Sequence, residues 1–129
     1  DRFCTEIGYL MAHPDTSTTL IIWPTVGRFE SFLNRVGLAE QILNTHGWAT
    51  EFQLAHFHPN YCFADSEEQD PANYTNRSPW PLLHILRSEQ MEKVLARYPE
   101  PEQIPLNNIE LMRKLGNAEL AAQLKACRS

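Results

Sequence analysis

Glycine is scarce in this chain, five among 129 residues, and no two stand close together. A Gly-rich loop that cradles a nucleotide phosphate with clustered backbone N–H groups is therefore excluded. Cysteine is scarcer still. Cys4, Cys62 and Cys127 are odd in number and far apart, with no Cys-x-x-Cys. This pattern fits neither a disulfide framework nor a cysteine zinc site, and it points to a reducing compartment, cytoplasm or an organelle matrix.

Long apolar runs are missing too. The longest, Leu20-Ile21-Ile22-Trp23, is far below the roughly 18 residues that a membrane-spanning helix needs. A surplus of basic residues is also lacking: 11 Lys and Arg stand against 16 Asp and Glu, a net charge of −5. Non-specific nucleic-acid binding needs the opposite balance, because it works by neutralising phosphates. One pocket of positive charge, enough for a small anion, remains compatible with these numbers. No secretory leader opens the sequence, so the overlapping acceptor patterns at Asn73 and Asn76 read as coincidence. A chain of this length reads as one α/β domain, residues 1–129.

What is present is periodic. Phe3, Ile7, Leu10 and Met11 mark a short helix over residues 2–12 that ends before Pro14. Thr19 to Trp23 reads as a strand buried on both faces. Phe29, Phe32, Leu33, Val36 and Leu43 then place a helix over 28–45, stopped at His46-Gly47. Glu51 to His58 is the second strand, with Phe52, Leu54, His56 and His58 on one face. Strand, helix and strand predict a right-handed crossover joining a parallel pair in a small parallel sheet.

A long loop over 59–78 follows, with Tyr61, Phe63 and Tyr74 to pin it. Ser78 as N-cap and Pro79 at the first helical position predict a helix over about 79–97. Two more helices, 105–115 and 118–127, flank Gly116. The expected architecture is thus a parallel sheet, a functional loop and three C-terminal helices.

The chemistry expected from these residues gathers after the second strand. A helix start at Ser78 offers unpaired N–H groups and partial positive charge to an anion. Arg77 adds a planar fork of donors suited to phosphate or carboxylate. His58 at a strand end and His84 on the next helix are acid/base candidates, and Arg77 joins them as the third catalytic residue. Tyr61, Asn73, Tyr74, Asn76, Ser78 and Arg87 are the expected ligand-binding residues. The bland alternative is that Ser78 only caps, Arg77 pairs with Asp65 or Asp70, and each His is structural. His56 and His58, with His84 and Asp65 or Asp70, form a weaker metal constellation. No residue pattern names a cofactor, and Cys62 lacks the neighbours of an activated thiolate.

The segments FHPNYCFAD and DPANYTNRSPWPLLHILR resemble a family of unknown function, the mainly bacterial domain-of-unknown-function family 1415. The likeness rests on Phe57, His58, Pro59, Tyr61, Phe63, Asp70, the run Asn73 to Pro79, Pro81, His84, Leu86 and Arg87. Ile104-Pro105, Asn108 and Leu115-Gly116 extend it through the closing helices, so it covers essentially the whole chain. The resemblance implies a site in this region and no particular reaction. Members generally carry a further N-terminal region with a Cys-Pro-Phe segment, which has no counterpart before Asp1, and a small residue where His56 stands.

Three functions follow as expectations. The first is an enzyme-like site for a small anionic ligand around Arg77, with His58 and His84 moving protons. The second is a non-catalytic subunit or interaction module with protein partners. The third is His-based metal or haem binding through His58 or His84.

Overall fold

A computed structural model describes residues 2–128. The chain runs α1 (Arg2–Ala12), β1 (Thr18–Ile22), α2 (Phe29–Thr45), β2 (Phe52–Phe57), a 3-10 helix (Pro71–Asn76), β3 (Leu82–Arg87), α3 (Ser88–Leu95) and α4 (Gln103–Ala126). The first helices form where their apolar faces require it. Phe3, Ile7 and Leu10 recur at spacings of four and three on α1, and Phe32, Val36, Ala39 and Leu43 do so on α2. Both stripes pack on one face of the sheet, against Phe52, Leu83 and Ile85.

The sheet is antiparallel, which overturns the parallel arrangement expected from sequence. Its order is β1-β3-β2, and β3 pairs antiparallel with both neighbours. β1 and β2 do run in the same direction, as the crossover through α2 demands. They are not neighbours, however, because β3 inserts between them. The result is a split β-α-β unit. Thr18 lies opposite Leu86, and Phe52 lies opposite Arg87.

The inserted strand corrects a second expectation. The helix placed over 79–97 does not exist as such: residues 82–87 are β3, and helix resumes only at Ser88. Pro81 supplies the physical reason. A proline disfavours helical backbone at the residue before it, so Trp80 cannot enter a helix that starts at Pro79. Ser78 therefore caps nothing, and its hydroxyl donates instead to the Trp80 carbonyl at 2.6 Å.

β1 departs from expectation as well. It lies at the sheet edge rather than buried on both faces, with Leu20 and Ile22 each 52% exposed and Ile21 turned to the core. The two closing helices are continuous apart from Gly116, whose φ of 81° interrupts helical backbone at the break expected there.

The connector from His58 to Pro81 is held from several sides. α4 packs on its 3-10 helix. Asp70 caps that helix by accepting from the Ala72 N–H, and its two oxygens accept from Nε and one terminal nitrogen of Arg113 at 3.2 and 2.9 Å. Asn73, fully buried, accepts from the Phe63 N–H and donates to the Glu67 carbonyl at 2.8 Å. No helix among the described residues is long and apolar enough to cross a membrane.

Candidate functional site

The residues singled out from sequence do not meet in one hollow. His58 follows β2 on the helix-covered face and packs between Phe29 and Phe32 of α2. It is completely buried. Its Nε2–H donates to the Gly27 carbonyl at 2.9 Å, and its Nδ1 accepts from the Asn60 N–H at 3.0 Å. That pairing requires the neutral ring, and burial holds its pKa below the usual histidine value against the opposing pull of the Gly27 carbonyl.

His84 sits on the other face. Leu83 and Ile85 point to the helices, so His84 alternates away from them, between Leu20 and Ala55 on the flanking strands. Its Nε2 is buried without a hydrogen-bond partner, and burial lowers its pKa too. His56 shares the inner face with His58 and stacks on Tyr61 with ring centres 5.5 Å apart. Desolvation again lowers its pKa, opposed by Glu40. With both nitrogens of His58 engaged by backbone, the expected His56–His58 metal pair has no free donor on one side. Among the described residues, no group of three or more His, Cys, Asp or Glu stands close enough to hold a metal.

Arg77 is spent on the connector itself. Its Nε donates to the Tyr61 carbonyl at 2.9 Å, one arm reaches the Glu68 carbonyl at 3.2 Å, and the guanidinium lies 4.6 Å over the Tyr74 ring. Asp70 pairs with Arg113 rather than with Arg77. Asn76 donates to the His56 carbonyl at 3.1 Å and receives the His58 N–H on its own carbonyl. Tyr61 is buried against Phe29, His56 and Phe63, and burial raises its pKa against a hydrogen bond to the Asn76 side chain. Arg87 stands at the far end of β3 and clasps three carbonyls near the end of α1, those of Leu10, His13 and Thr16. Arg77, Asn73, Asn76 and Ser78 thus brace the connector, while Arg87 braces α1.

A different set of residues does converge. β1 and β2 share a direction, so their carboxyl ends lie at the same end of the sheet, and α2 begins there. A hollow of about 110 Å³ opens at this place, floored by His58 and Phe32 and walled by Trp23. Arg28, just before α2, and Ser31 and Arg35 on it line the hollow. Ser31 and Arg35 are four residues apart, so they share one helix face. Arg28 is the N-cap residue, without a side-chain cap, which leaves the first-turn N–H groups unclaimed by side chains. Arg28 also pairs with Glu30 at 3.1 Å, but both are about four-fifths exposed, so this pair is weak. Arg35 has no ion pair or side-chain hydrogen bond among the described residues. The sequence signal for this helix start is Gly27-Arg28 ahead of the α2 stripe, not Ser78. The carboxyl ends of β1 and β2 flank the same spot.

The sequence profile of one family matches residues 1–122. The protein belongs to DUF1415, described as a protein of unknown function. The resemblance noted at the connector is thereby a relationship over nearly the whole chain. No curated protein and no solved structure matches this DUF1415 chain. The family's description assigns no reaction, so the geometry of this member carries the functional reading.

Proposed function

We propose that this DUF1415 protein binds a small anion, a phosphate or carboxylate, in the hollow at the start of α2. The observation that carries the reading is the convergence of Arg28, Ser31 and Arg35 on one hollow beside the uncapped first turn of the helix. Two guanidiniums, a hydroxyl and the positive end of a 17-residue helix all favour negative charge at one place. Arg77 serves an anion less well, because it already donates to two carbonyls. His58 takes a positioning role in this reading. By holding the Gly27 carbonyl it fixes the turn that presents Arg28, and its neutral ring adds no competing donor.

Titration with sodium phosphate at constant ionic strength, followed by amide NMR, tests this. Shifts are expected at Phe29, Glu30 and Ser31. Arg35→Ala weakens binding about tenfold, the worth of one charge-assisted hydrogen bond of about 1.4 kcal/mol. Arg77→Ala leaves the affinity within about twofold on the same argument. Shifts confined to Arg77 and Ser78, or none with phosphate in the tens-of-millimolar range that weak ion sites need, would sink the reading.

A second reading, an interaction module or subunit, has one observation of its own. Leu20 and Ile22 stand half-exposed on an edge strand whose outer backbone groups have no strand partner in the described sheet. Such an edge invites pairing with another chain. Sedimentation over a wide concentration range is expected to show association that Leu20→Lys abolishes; an unchanging monomer counts against it.

A further inference from the structure

The hollow at α2 does not end where the anion would sit. A groove of about 420 Å³ adjoins it between α1, β1 and α2, and Trp23 and Arg35 line both spaces. The groove is apolar where the hollow is polar. Ile21, Ala39 and Ile42 form its inner wall, and Ala39 is the small residue whose lack of bulk leaves depth between α2 and the sheet. Leu38 lies on its rim and is 60% exposed. Its volume is on the scale of small-molecule sites, whereas the hollow alone holds little more than one hydrated ionic group.

We propose that the ligand is an amphipathic anion, with its phosphate or carboxylate head in the hollow and an apolar body, a ring or short alkyl chain, in the groove. This inference rests on the anion reading above and specifies the substrate class of that site. Arg35 is the hinge of the argument. It stands between the two spaces with a guanidinium that no carboxylate in the described residues engages, so it meets the head while its methylene stem and Trp23 flank the body. Arg2, at the start of α1, adds a second positive charge to the groove and excludes a cationic tail. A polypeptide strand on β1 would use the backbone edge and has no need of a cation between two hollows.

Calorimetry with inorganic, ethyl, butyl and hexyl phosphate decides the matter on the intact protein. Affinity is expected to rise about fourfold for each methylene that becomes fully buried, which is the transfer energy of about 0.8 kcal/mol converted to a ratio. Leu38→Asp, on the exposed rim, is read by the ratio of hexyl to inorganic phosphate affinity, and that ratio is expected to collapse toward one. If inorganic phosphate binds and chain length has no effect, this inference falls and the anion site stands. If no phosphate binds at all, both fall. A chain-length gain that survives in Leu38→Asp places the body elsewhere and overturns the inference. Co-sedimentation with anionic phospholipid vesicles would assign the groove to a membrane surface and overturn it as well.

Discussion

Replacing Arg87 with alanine is expected to lower folding stability by about 3 kcal/mol, a large part of what a domain of this size has to lose. The carbonyls of Leu10 and His13 lie at the end of α1, where a helix leaves its last oxygens without intrahelical donors. Arg87 reaches both at 2.7 and 3.0 Å, and it also reaches the Thr16 carbonyl through two nitrogens at 3.0 and 2.8 Å. One guanidinium therefore closes the end of α1, the turn beyond it and the end of β3. A cation at a helix carboxyl end also matches the local partial charge. Lysine recovers only part of the loss, because it lacks the Nε–H that gives the Thr16 carbonyl its second bond and the rigid planar group that holds both nitrogens in place. Methionine separates packing from hydrogen bonding, since it keeps an apolar stem and loses both the donors and the guanidinium that lies 6.0 Å from the Phe52 ring centre. Urea unfolding followed by circular dichroism measures all three. A loss below about 1 kcal/mol for alanine, within the range of ordinary surface changes, would show that water replaces the guanidinium without penalty.

The second large effect falls on His58. Alanine there leaves a cavity against Phe29 and Phe32 and strands two backbone groups, at a cost of about 4 kcal/mol. Phenylalanine keeps the ring and strands the same Gly27 carbonyl and Asn60 N–H, so about 2 kcal/mol of the loss is expected to remain. Acid makes the role of the imidazole visible. His56, His58 and His84 all have folded-state pKa values lowered, each chiefly by burial. Above about pH 6.5 neither folded nor unfolded chain binds these protons, and stability is at its full value. As pH falls below that point the unfolded chain takes up protons that the folded one refuses, so stability declines. His58→Phe removes one of the three contributors, so its stability curve against pH is expected to be shallower between pH 6.5 and 5. Parallel curves would show that His58 titrates alike in both states. Asp70 acts in a lower window. Hydrogen bonding from Arg113 holds its pKa below the ordinary carboxylate value, so its contribution is present at neutral pH and lost only under stronger acid.

How much of this was legible in the residues depended on whether one face was apolar and the other not. α1, α2 and β2 carry that contrast, and their bounds fall within a residue or two of the expected ones. β3 does not carry it. In Leu82-Leu83-His84-Ile85-Leu86 both faces are mostly apolar, leucine favours helix, and Ser78-Pro79 imitates a helix start. The missed cue was Pro81, which forbids the helix that Pro79 invites. That single misreading also moved the expected helix start. It supplied a helix amino end at Ser78 that does not exist, while the real one at Phe29, with Arg28 before it and Ser31 and Arg35 along its face, was read only as a packing helix. The crevice expected beyond the carboxyl ends of a parallel pair has no such pair behind it, since β1 and β2 share a direction without being neighbours. The two backbone partners of His58, 31 and 2 residues away, leave no trace in the local pattern.

The position of β3 sets the order in which this chain can mature. The middle strand of the sheet is the last of the three to be synthesised, so β1 and β2 emerge from the ribosome with no partner for either inner edge. The bond from Thr18 to the Ile85 carbonyl closes a gap of 67 residues in the sequence. Until Leu82–Arg87 arrives, an elongating polypeptide displays two unpaired ribbons together with the stripes of α1 and α2 that should cover the finished sheet. Nascent chains released before that point hold most of the core side chains and none of the strand that joins them, so they are expected to expose apolar surface rather than to fold as half-formed copies of the domain.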